Sequence, residues 1–545
     1  MMHNRLIRML VLAAFLAAAG CGRPSGGGKE VFHMNMAEGL ETTDPAFARN
    51  QNIIWITHQI YSTLIETDSN LHLVGCLAKS WDVSENGRVY TFHLRSDVYF
   101  QDNPAFPGGK GRKMTARDVV YSFKRITDPA TASSGAWIFN DKISPDSGFR
   151  ALDDTTFRLT LIRPFEPILG ILTMPYCSVV PREVVEKYGK DFRRHPCGTG
   201  PFQMKYWDEG QALVLVKNPH YFGRDSLGHS LPYLDAVKCT FVTSKATEFL
   251  LFVQGQLDFM KDLDASYKDE ILTKSGKLQK EFSSRVILLR KPFLSTEYLG
   301  FLVDTASAVL RGSPIRSRNF RLAINYGFDR GKIAMYLKNN VVLPAYGGFV
   351  PPGLPGYDTM GVHGYRYDPA RARRLLAAAG FDASHPAPPV TLYSSEQYAD
   401  ITNFIARQLA EIGIRAQVNI QQIGMLREMA AKSQVTFFRA DWMADYPDAE
   451  SFLACFYSKN PAPPNYSRFS NKRFDALYER ALGETNDTIR YRLYHQMDSI
   501  VVADAPVVPV YYDESTMFIH PWVKGLVNNS LALLELRRVR ITPHR

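Results

Sequence analysis

VTLYSSEQYADITNFIARQLAEIGIRAQVNIQQIGMLREMAAKSQVTFFRA, residues 390–440, is a run of strands separated by helices. Residues 390–393 have the β-branched and aromatic content of a strand. Residues 397–412 then place Ile401, Phe404, Ile405, Leu409 and Ile412 at helical spacing, with Gly413 as a stop. Ile414, Ala416, Val418 and Ile420 alternate as a second strand, a second helix is expected from about Met425 to Lys432, and VTFFRA at 435–440 closes the series. Upstream, Asp368 and Pro369 start another helix that presents Ala372, Leu375, Leu376 and Ala379 on one face and ends at Gly380. Strands joined through helices of this length pair in parallel and are covered on both faces, so the fold class is α/β.

The series runs directly into DWMADYPDAESFL, residues 441–453, at the carboxyl edge of the sheet, where ligands bind in open α/β folds. Four carboxylates lie here around Trp442 and Tyr446. Because charged groups are rarely buried alone, the cluster reads either as a solvated turn, which Asp-Tyr-Pro-Asp also suits, or as a pocket that receives a cation.

At the other end, Arg5 and Arg8 precede an apolar run from Met9 to Gly20 that is too short to span a bilayer and has the order of a secretion signal. The run closes in small residues before Cys21, which resembles the lipobox of bacterial lipoproteins. Residues 1–20 are therefore expected to be a signal peptide, Cys21 the lipidated residue, and the glycine-rich 21–29 a tether to the membrane surface. No other stretch has the length of a transmembrane helix.

More than 500 residues remain, enough for two or three lobes. The formal charge of +10 is scattered, without the clustered Lys/Arg that phosphate backbones require, so nucleic acid is not an expected partner. Five cysteines besides Cys21 cannot all pair, and sequence does not select the pairs. Histidine and cysteine spacings match no compact metal site, and glycine-rich phosphate or dinucleotide loops and a nucleophile elbow are absent; no metal, cofactor or enzymatic activity is expected. The remaining enzymatic alternative is an envelope hydrolase with Asp445 and Asp448 as paired carboxylates, which a Pro-containing loop suits poorly.

In the N-terminal half, residues 30–36 alternate as an opening strand, and Ile53, Ile54, Ile60 and Leu64 mark a helical stretch. Residues 81–100 read as two strands around Glu85-Asn86-Gly87, and Thr115 with Asp118 caps a helix whose buried stripe is Val119, Phe123 and Ile126.

Several segments in one order, LAKSWDV at 77–83 with YTFHLR at 90–95, TARDVVYSFKR at 115–125, GTGPF at 198–202, RNFRLAINYGFDR at 318–330 and residues 442–453, resemble the family 5 extracellular solute-binding proteins, the dipeptide and oligopeptide receptors of ABC importers. The resemblance runs from about residue 30 to the C-terminus. It implies a periplasmic binding protein type II-like body: lobe I from 30–75, 199–285 and 515–545, lobe II inserted as 76–198, and lobe III from 286–514. Hinges are expected near Gly200 and just before Glu297.

The implied role is capture of a peptide between lobes and its delivery to a membrane permease by a monomeric lipoprotein on the periplasmic side of the bacterial envelope. The same fold also serves other solutes: a nickel chelate, an oligosaccharide or an antibiotic peptide. In the family's peptide receptors the aspartate of Trp-x-x-Asp receives the ligand's α-ammonium, and Trp442 and Asp445 hold those positions. Tyr446 adjoins them, and Glu38 corresponds to a position lining the cleft. Gly135 stands where a tyrosine faces the ligand, with Trp137 as the substitute aromatic. The missing arginine between Tyr393 and Ala399 argues against strict dipeptide specificity.

Overall fold

The computed structural model describes residues 29–543 apart from 85–86, 145–146, 263–266 and 358–360. The expected signal peptide, Cys21, nearly all of the tether, and Glu85 and Asn86 of the hairpin turn lie outside the described residues.

The βα series forms as its periodicity dictates. Strand Val390–Ser394 pairs in parallel with Ala416–Ile420 and, through Tyr393 and Phe438, with Phe437–Met443. Helix Ala399–Glu411 buries Ile401, Ile405 and Leu409, four residues apart, in the core that holds Leu392. Gly413 follows at φ +96°, a left-handed conformation that only glycine adopts cheaply. Helix Pro369–Ala378 starts as expected, with the Asp368 side chain accepting from the Arg371 N–H at 2.8 Å.

Two long strands carry this sheet into the rest of the molecule. Ile287–Phe301 pairs antiparallel with Phe437–Met443 on one side and with Val507–Ile519 on the other. At 15 and 13 residues they reach on the order of 40 Å or more, far beyond one ordinary sheet. Their ladder breaks between Pro292 and Thr296, opposite Tyr512–Glu514, where Pro292 has no N–H to donate. At the far end Val507–Ile519 meets Phe259–Lys261, and Phe259 packs on Phe32 and Trp55 of the N-terminal body.

That body contains a four-stranded sheet in the order Val31–Asn35, Ala236–Thr240, Ala212–Lys217, Phe202–Asp208, and a second, antiparallel sheet built from residues 78–160. One continuous core runs through both, from Phe32 and Val237 to Phe92, Phe123 and Phe157. The helix Ala116–Thr127 has its capping box and buries Val119, Phe123 and Ile126. Gly200 lies inside this core with its N–H on the Ile60 carbonyl at 2.9 Å, and an added Cβ would stand 2.5 Å from Ile60. The break in the long ladder therefore lies just before Glu297 and opposite it at 512–514, and Gly200 is a packing position. Cys76, Cys177, Cys197, Cys239 and Cys455 are all buried and unpaired.

Candidate functional site

Strand Phe437–Met443 ends between two bodies, and the chain then turns on itself. The Trp442 indole donates to the Ser451 carbonyl at 2.7 Å, the Asp445 N–H to Ser451 Oγ at 3.2 Å, and the Glu450 N–H to Asp448 Oδ1 at 2.8 Å. These bonds fasten the loop onto the short helix Glu450–Leu453, so both sequence readings apply, to different residues. Asp448 is the turn residue: it is withdrawn from the surface and faces Arg490 at 3.8 Å. Asp445 is the cleft residue.

Asp445 lines a cavity of about 1100 Å³ between two walls. Trp137, Asn140, Asp141, Lys142, Arg163 and Phe165 form one wall; Trp442, Asp445, Tyr457, Lys459, Tyr478 and Glu479 belong to the other. Water in the cleft reaches the Asp445 side chain. The walls nonetheless enclose it closely enough that lost hydration pushes its acid up to about 6, with no neighbouring cation to pull it back. No hydrogen bond or ion pair to its carboxylate forms among the described residues. A solvent-reached, unpaired carboxylate inside a cavity lined by aromatics suits an ammonium ligand.

Of the five expected ligand residues, four line this cavity: Trp137, Trp442, Asp445 and Tyr446. Trp137 is 40% exposed, as a contact surface and not a core residue. Tyr446 is buried, and its hydroxyl donates to Glu450, which also accepts from Tyr478; burial pushes the Glu450 acid up and the two hydroxyls oppose that rise. Tyr446 thus offers the cavity its ring alone. Glu38 is exposed on the turn after Val31–Asn35 and does not line the cavity. At Gly135 the reason for the missing tyrosine is spatial: the Tyr176 ring fills the site, 2.4 Å from where a Cβ would be. Tyr176 also feels the Asp445 charge, after burial and its bond with Ser134, but it lies behind Gly135 and is not part of the cavity lining.

The two walls touch. Glu166 donates its N–H to the Leu482 carbonyl at 2.8 Å, and its carboxylate lies 2.8 Å from Arg490, which also meets Asp487 at 2.9 Å. Burial pushes the Glu166 acid up to about 8 against the pull of Arg490. Beneath the cleft, Arg439 and Glu297 form a bidentate pair with side chains only 3% and 4% exposed, and Arg439 also lies 2.9 Å from Asp441. A second cavity, of about 280 Å³, opens at the strand break and is lined by Lys261, Lys268, Lys338, Phe293 and Asp513. Among the described residues no group of three or more His, Cys, Asp or Glu is placed to hold a metal ion, and no helix is long and apolar enough to cross a membrane.

Comparison with known proteins places this geometry. A family model described as bacterial extracellular solute-binding proteins, family 5 Middle, matches residues 72–464. The chain is 27% identical to the periplasmic oligopeptide-binding protein OppA of Salmonella typhimurium, over 95% of this chain and 94% of that one. It is 26% identical to the glutathione-binding protein GsiB of Shigella flexneri serotype 5b, over 87% of each. Among solved structures, the periplasmic murein tripeptide-binding protein MppA in its unliganded open form superposes with a TM-score of 0.80 at 23% identity, covering 96% of this chain and 99% of that one.

Proposed function

Since the chain belongs to the bacterial extracellular solute-binding proteins of family 5, we propose that it captures peptides in the cavity around Asp445 and delivers them to the permease of an ABC importer. The observation that carries this reading is the unpaired Asp445 carboxylate, which lines a cavity of about 1100 Å³ together with Trp442 and Trp137. That volume exceeds the usual pocket for a small molecule and accommodates an extended chain. Asp445 receives the α-ammonium, and the aromatic rings supply sequence-tolerant contact area. The hydrolase pairing of Asp445 with Asp448 is not assembled, because Asp448 faces Arg490 and is not part of the cavity lining. Native mass spectrometry of freshly purified protein tests the reading: a retained peptide is the expected result, and a retained non-peptide solute overturns it.

Three lobes follow from the same proposal. The core shared by residues 30–285 makes the first two lobes one body, which closes on residues 286–514 by bending at the ladder break near 292–296 and 512–514. Small-angle scattering should show a smaller radius of gyration with saturating peptide than without. Identical profiles would rule out closure.

Membrane attachment is the remaining part, resting on the apolar run, the small residues before Cys21 and the glycine-rich tether. Cys21→Ser should move the protein from the membrane fraction to the soluble fraction. An unchanged distribution would count against lipidation.

A further inference from the structure

Cations that lie far apart in the sequence are gathered by the fold at one place, where the N-terminal strand begins. Glu30 accepts the Ile541 N–H at 3.0 Å and lies 3.8 Å from Arg540, so the chain arriving through Lys29 enters the body against the strand pair Val523–Lys524 and Arg540–Ile541. Across that pair Lys524 stands opposite Arg540, a placement of like charges that costs a sheet stability. Gly525 then passes the Arg538 carbonyl so closely that an added Cβ would stand 2.4 Å from its oxygen. Lys29, Lys524 and Arg538 are exposed, and none has a carboxylate within 4 Å among the described residues. Of the neighbouring acids, Glu30 is taken by Ile541 and Arg540, and the exposed Asp235 receives the Glu30 N–H at 2.9 Å.

An apolar side chain stands beside these charges. The Arg540 guanidinium lies 3.8 Å from the centre of the Tyr233 ring, and the Tyr233 hydroxyl donates to Asp225 at 2.6 Å. Asp225 also accepts the N–H groups of Leu227 at 2.9 Å and His229 at 2.8 Å, while Arg224 reaches over the same loop to the Gly228 carbonyl at 2.9 Å. Gly228 closes the turn at φ +86°. These bonds fix Leu227 at the tip, where it is 80% exposed, more than any other large apolar side chain among the described residues. A single exposed leucine needs no explanation. This one is held out rigidly by its loop and neighbours a rim of cations, a combination that suits the boundary between anionic headgroups and acyl chains.

We infer that the face formed by Leu227, Arg224, Arg540, Lys524, Arg538 and Lys29 docks on an anionic phospholipid bilayer, with Leu227 entering between the headgroups. This rests on the reading that Cys21 is lipidated, and deepens it. Cys21 lies eight residues before Lys29, so the covalent chain allows at most about 30 Å between the anchor and this face. An anchor limits distance but not orientation; the cations and the leucine select which side of the body meets the membrane.

Residues 1–20 lie outside the described body, so the chain from residue 21 carrying Cys21→Ser keeps every described residue and has neither lipid nor apolar run. Sedimentation with vesicles of phosphatidylcholine, alone or mixed equally with phosphatidylglycerol, reads its own affinity for a bilayer. It should bind the anionic vesicles and not the neutral ones. Adding Lys524→Gln and Arg538→Gln should weaken that binding at least about tenfold, since each cation at an anionic surface contributes about fivefold. Lys124→Gln with Lys190→Gln removes two exposed cations of the 76–198 lobe instead, and should change the binding less than about twofold. A polarity-sensitive dye on Leu227→Cys should shift to the blue on anionic vesicles, and the same dye on Ile162→Cys, another exposed apolar position, should not; the native cysteines of the body are buried. Absent binding, equal binding to both kinds of vesicle, equal losses in the two double variants, or a dye at residue 227 that stays in water each overturns the docking face. None of these touches the lipidation reading, which the fractionation of the Cys21→Ser protein judges separately.

Discussion

Asp445→Ala weakens peptide binding about 30-fold to several thousand-fold, because removing one member of a charge pair closed off from water costs about 2 to 5 kcal/mol. The fold should be unaffected, since the Asp445 carboxylate supports no other group among the described residues. N-acetylation removes the same charge from the ligand side. It should therefore weaken binding to the wild type strongly and to Asp445→Ala far less. Isothermal calorimetry across the four combinations reads the coupling, and equal affinity of acetylated and free peptides for the wild type would exclude the ammonium pocket. The pH dependence has a definite sign. Enclosure holds the Asp445 acid at about 6, and an ammonium binds its ionised form. Affinity is then full above pH 7 and falls as pH drops through 6, roughly tenfold by pH 5. Asp448→Ala should act differently, lowering stability through the lost Glu450 cap and the partner taken from Arg490, with less effect on the intrinsic affinity.

The contrast between those two aspartates marks the limit of what the sequence discloses. Both sit in one acidic loop, and the loop's place at the carboxyl edge of the sheet was readable because the strands and helices before it obey local periods of 2 and 3.6. The helix expected over 397–412 forms as Ala399–Glu411, preceded by a single 3-10 turn, and the strand expected over 435–440 is displaced to Phe437–Met443. The displacement has a distant cause: that strand's extent is set by pairing with residues 295–301, more than 130 positions away. The long strands themselves carry no clear local signal, since Pro292 and Pro509 interrupt both and proline argues against a central strand. Side-chain partners follow the same rule. Trp442 and Asp445 could be named from a motif, but Arg490, which faces Asp448, comes from helix Asp487–Asp504. Lys142 and Phe165 reach the cavity from a separate body, and only the folded arrangement puts them across from Asp445.

Arg439→Met should be among the most destabilising single substitutions in the molecule, although Arg439 does not line the Asp445 cavity. Strand register sets Leu299 opposite Arg439 and Glu297 opposite Asp441, and the arginine reaches both carboxylates. With side chains 3% and 4% exposed, Arg439 and Glu297 meet almost without water, and Tyr398 covers the guanidinium with its ring 3.4 Å from the central carbon. Removing one partner leaves the other as an uncompensated buried charge, at about 3 to 5 kcal/mol. The deficit should depend on pH. Burial holds the Glu297 acid at about 7 while Arg439 pulls it down, so the folded state binds this proton more tightly than the unfolded chain and loses stability as pH rises toward 7. Without Arg439 the acid moves higher still, and the loss continues past the point where the wild type has levelled off. Chemical denaturation should find the smallest gap between wild type and variant at pH 6 and a wider one at pH 8.5. Replacing Glu297 with Met as well should recover much of the loss, because an apolar pair of similar volume leaves no buried charge. A gap that narrows with rising pH, or a double variant no better than the single one, would mean that the pair is not the charged clasp its geometry describes.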